Sequence, residues 1–304
     1  MSVVKRIFGI KVGTFQQYPP RPLTYQIESS FTCNSERLPS ISIVTPSYNQ
    51  GAFIEQTIDS VLSQNYPFLE YIIQDACSTD CTLDVLNKFP PKAFECIVEH
   101  DGGQADAINR GFLRSKGEIM CWLNSDDLLS PRTLCLVGEY FQNNSEIDVV
   151  YGNRIVIDSD GNEIGRWILP EHDSNVLRVI DYVPQETLFW RRRIWDKVGG
   201  KLDDELKFAL DWDLLLKFCK ANAKFSHLPM LFCAFRVHNK QKTSLLIQSI
   251  GRNEMRQLRA KYAGSISQRL IDLIRYAIFL IRHKICDYRF RQEHIKNKLY
   301  LRRF

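Results

Sequence analysis

Residues 41–67 read ISIVTPSYNQGAFIEQTIDSVLSQNYP, and this segment sets the pattern for most of the chain. Residues 41–45 are a short, β-branched run, which is typical of a buried strand. The proline, asparagine and glycine of residues 46–51 predict a loop after that strand. Apolar residues then recur at helical spacing, which predicts a helix over about 52–64: Ile54, Ile58, Val61 and Leu62.

The same alternation of apolar strands and amphipathic helices continues to about residue 151. It predicts an α/β fold with a Rossmann-like, mostly parallel sheet and helices on both faces. Ligands of such sheets bind beyond the carboxyl ends of the strands, so polar residues there are the candidate site. The segments are strands at 71–74, 94–98, 119–123 and 149–151, and helices ending near residue 88 and covering about 104–115 and 131–141.

Less regular segments lie on either side of this core. A hairpin turn is predicted at residues 158–161, a helix from about 211 to 218, and an extended segment at 228–237. Prolines cluster in the weakly periodic N-terminal region. We therefore expect three regions: an extension at 1–38, a catalytic domain at 39–245 and a tail at 246–304.

The composition is that of a folded protein, but its charge is unevenly placed. Apolar residues make up 44% and charged residues 25% of the 304 residues, which argues against wholesale disorder. Residues 251–304 contain fourteen Lys/Arg and four Asp/Glu, a net charge of +10, so the other 250 residues carry −5 of the total of +5. This asymmetry predicts a tail that meets an anionic surface.

The cysteines and the apolar segments indicate in which cellular compartment the protein is expected. The nine cysteines form no CxxC pair and no zinc spacing with histidine, and several lie within apolar runs. We interpret them as reduced packing residues, which favours the cytoplasm. No secretory signal is recognised, and no segment approaches the ~20 apolar residues needed to span a bilayer.

Two carboxylates follow the predicted fourth strand. Asp126 and Asp127 suit a hard divalent cation, because such cations prefer oxygen ligands. The alternative is a plain helix start, where carboxylates are also favoured. Asp75 ends the second strand and fits either a contact to a nucleobase or ribose, or a helix cap. His238 ends the last predicted strand, where its imidazole fits either a metal shell or a structural role.

Two further segments carry candidate chemistry. Residues 101–106 read DGGQAD and open a helix, so their backbone amides suit a phosphate or a sugar hydroxyl. This signal is weak alone, since the segment lacks both GxGxxG and the Walker lysine pattern. Asp211 and Asp213 lie at the start of an amphipathic helix. Either could act as a general base on an acceptor hydroxyl, and Asp213 could instead be a helix cap.

In order and spacing, these segments resemble those of family 2 glycosyltransferases, which adopt the GT-A fold. They follow the family order across about 41–243, roughly two-thirds of the chain. Besides residues 41–67, the matching stretches are YIIQDACSTDCT (71–82), HDGGQADAINRGF (100–112), GEIMCWLNSDD (117–127), VYGN (150–153), PQETLFWRRRIWDKVGG (184–200), LDWDLLLKF (210–218) and FRVHNKQKT (235–243).

The resemblance implies a role for each matching residue. Asp75 corresponds to the aspartate that holds the nucleobase. Gln104 and Asp106 belong to the segment near the ribose and the sugar. The first loop, which lines the nucleotide, corresponds to Thr45, Pro46, Tyr48 and Asn49.

The resemblance also implies a metal site and a base. Asn124, Ser125 and Asp126 match the DxD motif, with Asp126 as the ligand of Mn²⁺ or Mg²⁺. His238 matches a histidine that can join the metal shell, and Asp211 matches the catalytic base.

Three departures from the family pattern matter. The first DxD position is Asn124, which brings no charge, so Asp127 is expected to compensate. Cys77 and Cys81 occupy positions in the nucleobase loop where small residues are common. The catalytic-base motif has Leu210 where glutamate is common, so the role of the base is expected to fall on Asp211, with Asp213 as the reserve candidate.

The implied activity is inverting transfer from a nucleotide-diphosphate sugar to a glycan or lipid-linked sugar acceptor. No nucleic-acid partner is expected. The alternative is a catalytically silent scaffold that binds sugar nucleotides or a membrane. A nucleotidyltransferase is disfavoured, because its basic glycine-rich loop is missing from residues 45–51.

The tail contains one predicted helix at residues 266–290. Its isoleucines at 271, 274, 278, 281 and 285 share one face, and arginines at 275, 282 and 289 share another. Such a helix fits an anionic membrane interface. It fits equally a packing role on the catalytic domain or on a second subunit.

Overall fold

The strands form a single sheet in a computed structural model of the chain, which describes residues 13–23, 37–239, 241, 246–262 and 266–296. Within these ranges the strands are β1 (Ile41–Ser47), β2 (Leu69–Asp75), β3 (Glu95–Val98), β4 (Ile119–Trp122), β5 (Leu128–Leu129), β6 (Val149–Ile157), β7 (Glu163–Trp167), β8 (Phe189–Arg191) and β9 (Phe225–Arg236). The α-helices are α1 (Ile54–Leu62), α2 (Thr82–Leu86), α3 (Gln104–Arg114), α4 (Thr133–Asn143), α5 (Ser174–Leu177), α6 (Arg192–Lys197), α7 (Leu210–Lys220), α8 (Arg252–Tyr262) and α9 (Ile266–Lys296).

The sheet has the order β3-β2-β1-β4-β8-β6-β9-β5, and β7 pairs with β6 beside this path. Strands β3, β2, β1 and β4 are parallel to one another, as are β6 and β9. The antiparallel pairs involve β5, β7 and β8, so the change of direction begins at the β4–β8 contact. The predicted α/β fold with a mostly parallel central sheet is therefore confirmed.

The carboxyl ends of the parallel strands lie at one edge of the sheet. The register pairs Ser47 with Asp75 and Val44 with Trp122. The loops after β1, β2, β3 and β4 therefore leave from the same edge. This arrangement brings together the polar segments that the sequence placed at the strand ends.

Short elements were missed, whereas long ones were predicted well. β5 and β8 contain two and three residues, too few to show a periodicity. The predicted strand at 149–151 is the start of the nine-residue β6. The predicted hairpin turn at 158–161 connects β6 to β7, and the Gly161 N–H donates to the Asp158 carbonyl at 3.1 Å.

Part of the predicted N-terminal extension packs on the β6–β7 hairpin. The Phe15 ring stacks on Trp167 with centroids 5.6 Å apart. Arg21 pairs with the buried Glu163 at 2.6 Å, and the Tyr18 hydroxyl also donates to that carboxylate. Residues 1–12 and 24–36 of the predicted extension lie outside the described residues.

The prediction that all cysteines are reduced is wrong for Cys135, which is disulfide-bonded. No CxxC spacing marks this bond, so the local sequence does not reveal it. Cysteine usage therefore no longer favours the cytoplasm. The free cysteines are Cys77, Cys81, Cys96, Cys121, Cys219, Cys233 and Cys286.

The predicted tail helix is confirmed as α9, which begins at Ile266 and ends at Lys296. One of its faces packs on the body of the protein through Tyr276, Phe279 and His283. Among the described residues, no helix has an apolar run long enough to cross a bilayer.

We predict that Gly111→Ala lowers the free energy of unfolding by about 1–3 kcal/mol, the usual cost of overpacking. A Cβ atom at this position of α3 would lie 2.5 Å from Val44 Cγ1 of β1, so the strand would have to shift. Urea denaturation of both proteins measures the change. Leu113→Ala on the exposed side of α3 is the control and should change stability by less than about 0.5 kcal/mol. Undiminished stability of Gly111→Ala would contradict the close packing.

Candidate active site

A cavity of about 1120 Å³ opens where β1, β2 and β4 end. Loops from both halves of the sheet contribute to its walls. The predicted site residues that line it are Pro46, Tyr48, Gln104, Asn124, Ser125, Asp126 and Asp211. The remaining predicted residues are not part of this lining: Thr45, Asn49, Asp75, Asp106, Asp127, Asp213 and His238.

Residues 124–127 form the turn after β4 that carries Asp126, and two other elements hold this turn. The Thr57 hydroxyl of α1 lies 2.9 Å from two carbonyl oxygens of the turn. Arg236, buried at the end of β9, donates its backbone N–H to Asp127 Oδ1 at 3.0 Å and its Nε–H to the Asp126 carbonyl at 2.9 Å. The floor of the cavity is thus fixed by contacts to the main chain of the turn.

The Asn124 side chain uses both ends of its amide within the protein. Its Oδ1 accepts a hydrogen bond from Gln104 Nε2 at 2.8 Å. Its Nδ2 donates to Gln185 Oε1 at 3.1 Å and to Asp127 Oδ2 at 3.3 Å. A deprotonated aspartate at this position could not make the two donated bonds. The departure from the DxD motif therefore has a physical reason in the surroundings of residue 124.

Asp127 faces the interior of the protein rather than the cavity. Its two carboxylate oxygens accept hydrogen bonds from the Arg236 backbone and the Asn124 amide. Burial and the neighbouring carboxylates of Asp126 and Glu186 raise the pKa of Asp127 well above its ordinary value. This position favours a role in holding the turn over the predicted role as a metal ligand.

Asp126 and His238 are the predicted metal ligands that the fold brings together. His238 Nε2 lies 2.9 Å from Asp126 Oδ2, and the imidazole packs on the Phe53 ring with centroids 4.6 Å apart. Among the described residues, no group of three metal-binding side chains forms here. One carboxylate and one imidazole still fit a Mn²⁺ or Mg²⁺ ion that takes its other ligands from a diphosphate and water.

The amino end of α3 faces the cavity through Gly102, Gly103 and Gln104. Gly103 has a φ of +114°, which glycine adopts readily and other residues rarely do. Asp106 lies behind this turn, where its Oδ2 accepts from the Gly102 N–H at 2.8 Å and pairs with Arg110 at 2.8 Å. The bond from Gly102 and the pair with Arg110 lower the pKa of Asp106. Asp106 thus orders the loop from outside the cavity.

The end of β1 presents Pro46 to the cavity, and the loop after it presents the 58% exposed Tyr48. Thr45, which precedes them, is buried, and its hydroxyl lies 3.1 Å from the Tyr71 hydroxyl. The loop therefore offers an apolar ring and an aromatic ring to a ligand, while Thr45 anchors its base.

Asn49 joins the loop after β1 to the loop after β2, and Asp75 orders the second of these loops. Asn49 Oδ1 accepts the Thr79 N–H at 2.8 Å, although Asn49 itself adopts a φ of +53°. The two oxygens of Asp75 accept the N–H and the hydroxyl of Ser78, each at 2.7 Å. The predicted contact of Asp75 with a nucleobase remains a prediction.

Of the two aspartates at the start of α7, Asp211 lines the cavity and Asp213 does not. Asp211 lines the cavity, and burial raises its pKa to about 6 even though the Trp212 N–H donates to it at 2.9 Å. Asp213 is buried away from the cavity and pairs with Lys217 at 2.8 Å and Lys261 at 3.2 Å. This geometry favours Asp211 as the residue that meets an acceptor.

Glu254 of α8 supports the start of α7, a role that the sequence did not indicate. Its carboxylate accepts the backbone N–H groups of Lys207, Phe208 and Ala209, each at 2.9 Å. These three residues precede Leu210, the first residue of α7, so the carboxylate fixes the segment that leads into the helix. The predicted tail therefore begins with a helix that helps to position Asp211.

Two charged residues of the opposite wall, Arg154 and Asp181, lie outside every matching stretch of the sequence, whereas Glu186 lies within residues 184–200. Arg154 of β6 forms two hydrogen bonds of 2.6 Å to the Glu186 carboxylate, and its guanidinium lies 4.4 Å from the centroids of Trp167 and Phe235. Asp181 lines the same wall and has a buried Oδ1 without a hydrogen-bond partner among the described residues. The local sequence of a long buried strand such as β6 reveals only its period, so it does not single out Arg154.

Burial raises the pKa of Asp181 well above its ordinary value, and the charge of Asp211 adds to this effect. The wall therefore places a second high-pKa carboxyl in the cavity with Asp211.

A mostly parallel sheet with a cavity beyond the carboxyl ends of its strands is the architecture of the GT-A glycosyltransferases. Glycosyl transferase family 2 matches residues 42–211, more than half of the chain, and the chain belongs to this family.

The chain is similar to several bacterial polysaccharide enzymes. It is 30% identical over 213 residues to the chondroitin synthase of Pasteurella multocida strain Pm70 and to the hyaluronan synthase of Pasteurella multocida. These matches cover 69% of this chain but only 22% and 21% of the two synthases, so it spans about a fifth of their length. The putative teichuronic acid glycosyltransferase TuaG of Bacillus subtilis is 41% identical over 92 residues, covering 29% of this chain and 36% of TuaG.

Among solved structures, the chain resembles S. aureus TarS residues 1–349 in complex with UDP-GlcNAc. The TM-score is 0.62 at 22% identity, and the match covers 86% of this chain and 76% of that one. The likeness shows that the two share a fold.

We predict that Asn124→Asp, which restores the DxD motif, lowers the free energy of unfolding by about 1–3 kcal/mol at neutral pH. The variant loses two donated hydrogen bonds and places a carboxylate beside Asp127. Urea denaturation at several pH values measures this effect. The difference should shrink toward about pH 4, since a protonated carboxyl can donate again. Equal stability of both proteins at every pH would contradict the assigned hydrogen bonds.

Proposed function

We propose that the chain transfers a sugar from a nucleotide-diphosphate donor to an acceptor hydroxyl with inversion at the anomeric carbon. The observation that carries the proposal is one cavity with the high-pKa Asp211 on a wall and Asp126, paired with His238, on the floor. Base-assisted attack opposite a leaving group requires groups of these two kinds around one reacting carbon. Membership of glycosyl transferase family 2 supports the same reaction.

The proposed donor lies with its nucleotide along the loops after β1 and β2. Pro46 and Tyr48 offer a surface on which a base can stack. The amino end of α3 offers the positive end of the helix dipole to the diphosphate sugar. The UDP-GlcNAc complex of TarS, which shares the fold, supports a donor of this class.

The proposed cofactor is Mn²⁺ or Mg²⁺, with Asp126 and His238 as its protein ligands. When bound, the ion would neutralise charge on the diphosphate of the departing nucleotide. Arg236 and Thr57 hold the turn that presents Asp126. Phe53 packs on the His238 ring, which limits its rotation.

Asp211 is the proposed general base, which accepts the proton of the acceptor hydroxyl as its oxygen attacks. Burial raises the pKa of Asp211 to about 6, so the carboxylate is deprotonated at neutral pH and still basic. A base works best when its pKa lies near the working pH. Glu254 fixes the helix start that presents Asp211.

The proposed acceptor is a glycan or a lipid-linked sugar. The polysaccharide synthases and TuaG among the relatives support an acceptor of this kind. We propose a catalytic domain at 39–245 with the tail at 246–304, and a peripheral location on the cytoplasmic face of a membrane. The anionic lipids of that face attract basic segments. No nucleic acid enters this proposal.

Donor hydrolysis separates an enzyme from a silent scaffold. Asn124 motivated the scaffold alternative, but its engaged amide accounts for the missing charge. Thermal-shift screening with nucleotide sugars and Mn²⁺ identifies the donor, because a bound ligand raises the melting temperature. The identified donor is then incubated with and without Mn²⁺ or Mg²⁺. A protein that binds the donor and never cleaves it is a scaffold.

We predict that Asp211→Asn lowers kcat by ~10²-fold or more with little change in donor binding, as expected for loss of a general base. In the wild-type protein, kcat should rise with pH up to about 6 and level off above it, because the base must be deprotonated. A coupled assay of nucleotide release over a pH series measures both.

Asp213→Asn is the matched control, since this residue lies on the same helix but outside the cavity. It should lower stability through its lost pairs with Lys217 and Lys261 and leave kcat of the folded protein close to wild type. Loss of turnover in Asp213→Asn together with unchanged turnover in Asp211→Asn would reassign the base.

We predict that Asp126→Ala abolishes metal-stimulated transfer while the protein stays folded, because one of two protein ligands is lost. Electron paramagnetic resonance of Mn²⁺ with the nucleotide diphosphate gives a second readout, the affinity for the ion. Asp84→Ala, an exposed carboxylate on α2, is the control and should change neither quantity. Wild-type metal stimulation and Mn²⁺ affinity in Asp126→Ala would exclude this ligand.

A further inference from the structure

The long helix α9 carries a stripe of exposed apolar side chains. The steps between them alternate between three and four residues, so the side chains share one face. Their exposed fractions lie between 45% and 63%: Ile271, Ile274, Ile278, Ile281, Ile285 and Tyr288. Exposed isoleucines in a continuous row are costly in water and mark an interaction surface.

The opposite face of α9 fixes the direction of this stripe. Tyr276, Phe279 and His283 are buried against the body, and the Phe279 ring lies 4.5 Å from the Tyr182 ring. His283 Nδ1 lies 2.6 Å from the Ile168 carbonyl oxygen. At 100° per residue, this packed face lies roughly half a turn from the isoleucine stripe. The stripe therefore points away from the body, and the apolar face predicted from the sequence is not the one that packs on the domain.

Basic residues flank the stripe on both sides. Arg275, Arg282 and Arg289 follow one border at steps of seven, and Lys284 and Arg291 follow the other. Arg275 lies 3.7 Å from Asp173, and Arg291 pairs with Asp287 at 3.0 Å. Across the described residues, Arg282, Lys284 and Arg289 form no ion pair, although Arg282 lines a small cavity together with Glu171 and Asp173. Lys284 and Arg289 in particular remain available to a partner.

A second copy of this chain fits the stripe poorly. Alternating steps of three and four also describe a coiled-coil seam, whose flanking positions face each other across the interface. Here both flanks are basic, so parallel and antiparallel pairings alike would place lysine and arginine against arginine. Like charges in these positions disfavour the pairing.

We propose that this face of α9 docks on an anionic phospholipid surface. A helix lying in the interface buries its apolar side among the acyl chains and keeps basic residues at the level of the headgroups. The isoleucine stripe with a basic border on each side has this arrangement, and the catalytic body lies on the opposite side. This inference deepens the proposed peripheral location and does not depend on the transfer reaction.

Flotation of the full chain with phosphatidylcholine vesicles, with or without phosphatidylglycerol, tests the proposal. We expect binding to the anionic vesicles that weakens as salt rises. The double variant Ile274→Ser, Ile281→Ser should bind at least about tenfold more weakly, because two buried aliphatic side chains are lost. Arg282→Glu with Arg289→Glu should abolish the preference for anionic lipid.

Leu113→Ser is the matched control, because Leu113 is 82% exposed on α3 and outside the stripe. It should bind vesicles like the wild type. Donor hydrolysis without vesicles should be unchanged in all these variants, so a failed transferase and a failed membrane surface are distinguishable. No binding of the wild type to anionic vesicles at low salt overturns the proposal. So does an oligomer, seen by light scattering, that the isoleucine variant converts to monomer.

Discussion

The hydrogen bonds of Arg236 to the 124–127 turn are the constraint on which the site depends. This residue of the last strand is almost fully buried, so its donors must find acceptors inside the protein. They find them at the Asp126 carbonyl, at Gln56 of α1 and at the Ser159 carbonyl of the hairpin. The hydrogen bonds of the Arg236 guanidinium thus hold β9 both to α1 and to the hairpin. Two residues further along the chain, the same strand end delivers His238 to Asp126.

Most buried carboxylates around the cavity have either a cationic partner or hydrogen-bond donors. Arg154 neutralises Glu186, and Asp127 receives two hydrogen bonds. Desolvation penalises each further negative charge in such a place. A neutral amide at position 124 therefore keeps the floor connected without adding another carboxylate beside Asp127. Only the carboxyls of the cavity walls, Asp181 and Asp211, are left with strongly raised pKa values and access to the open space.

The sequence predicted the strands and helices whose apolar residues recur at a regular spacing. It did not predict side-chain orientations that are set by contacts between distant parts of the chain. β1, α1 and α9 are long enough for their buried residues to form a recognisable apolar pattern in the sequence. Asp126 and Asp211 could be singled out as candidates because they lie at the ends of such elements. By contrast, nothing local shows that Asp127 turns inward, since neighbouring residues of a turn are oriented by tertiary partners. Arg154 lies in an unbroken strand without a motif. The two sides of α9 are both apolar, so the sequence could not show which of them is covered.

The antiparallel contact between β4 and β8 has a consequence for how this protein can vary. It contains only the pairs Ile119 with Arg191 and Met120 with Trp190, yet it joins the half of the sheet that bears the loops after β1 and β2 to the half that bears Arg154. The two walls of the cavity are also held together outside this pairing, because the Trp190 ring packs on Phe112 and Trp122. Arg236 likewise reaches from β9 to the 124–127 turn and to α1. A substitution or insertion that displaces one wall is therefore transmitted to the other, and such a scaffold constrains its two walls to vary in concert.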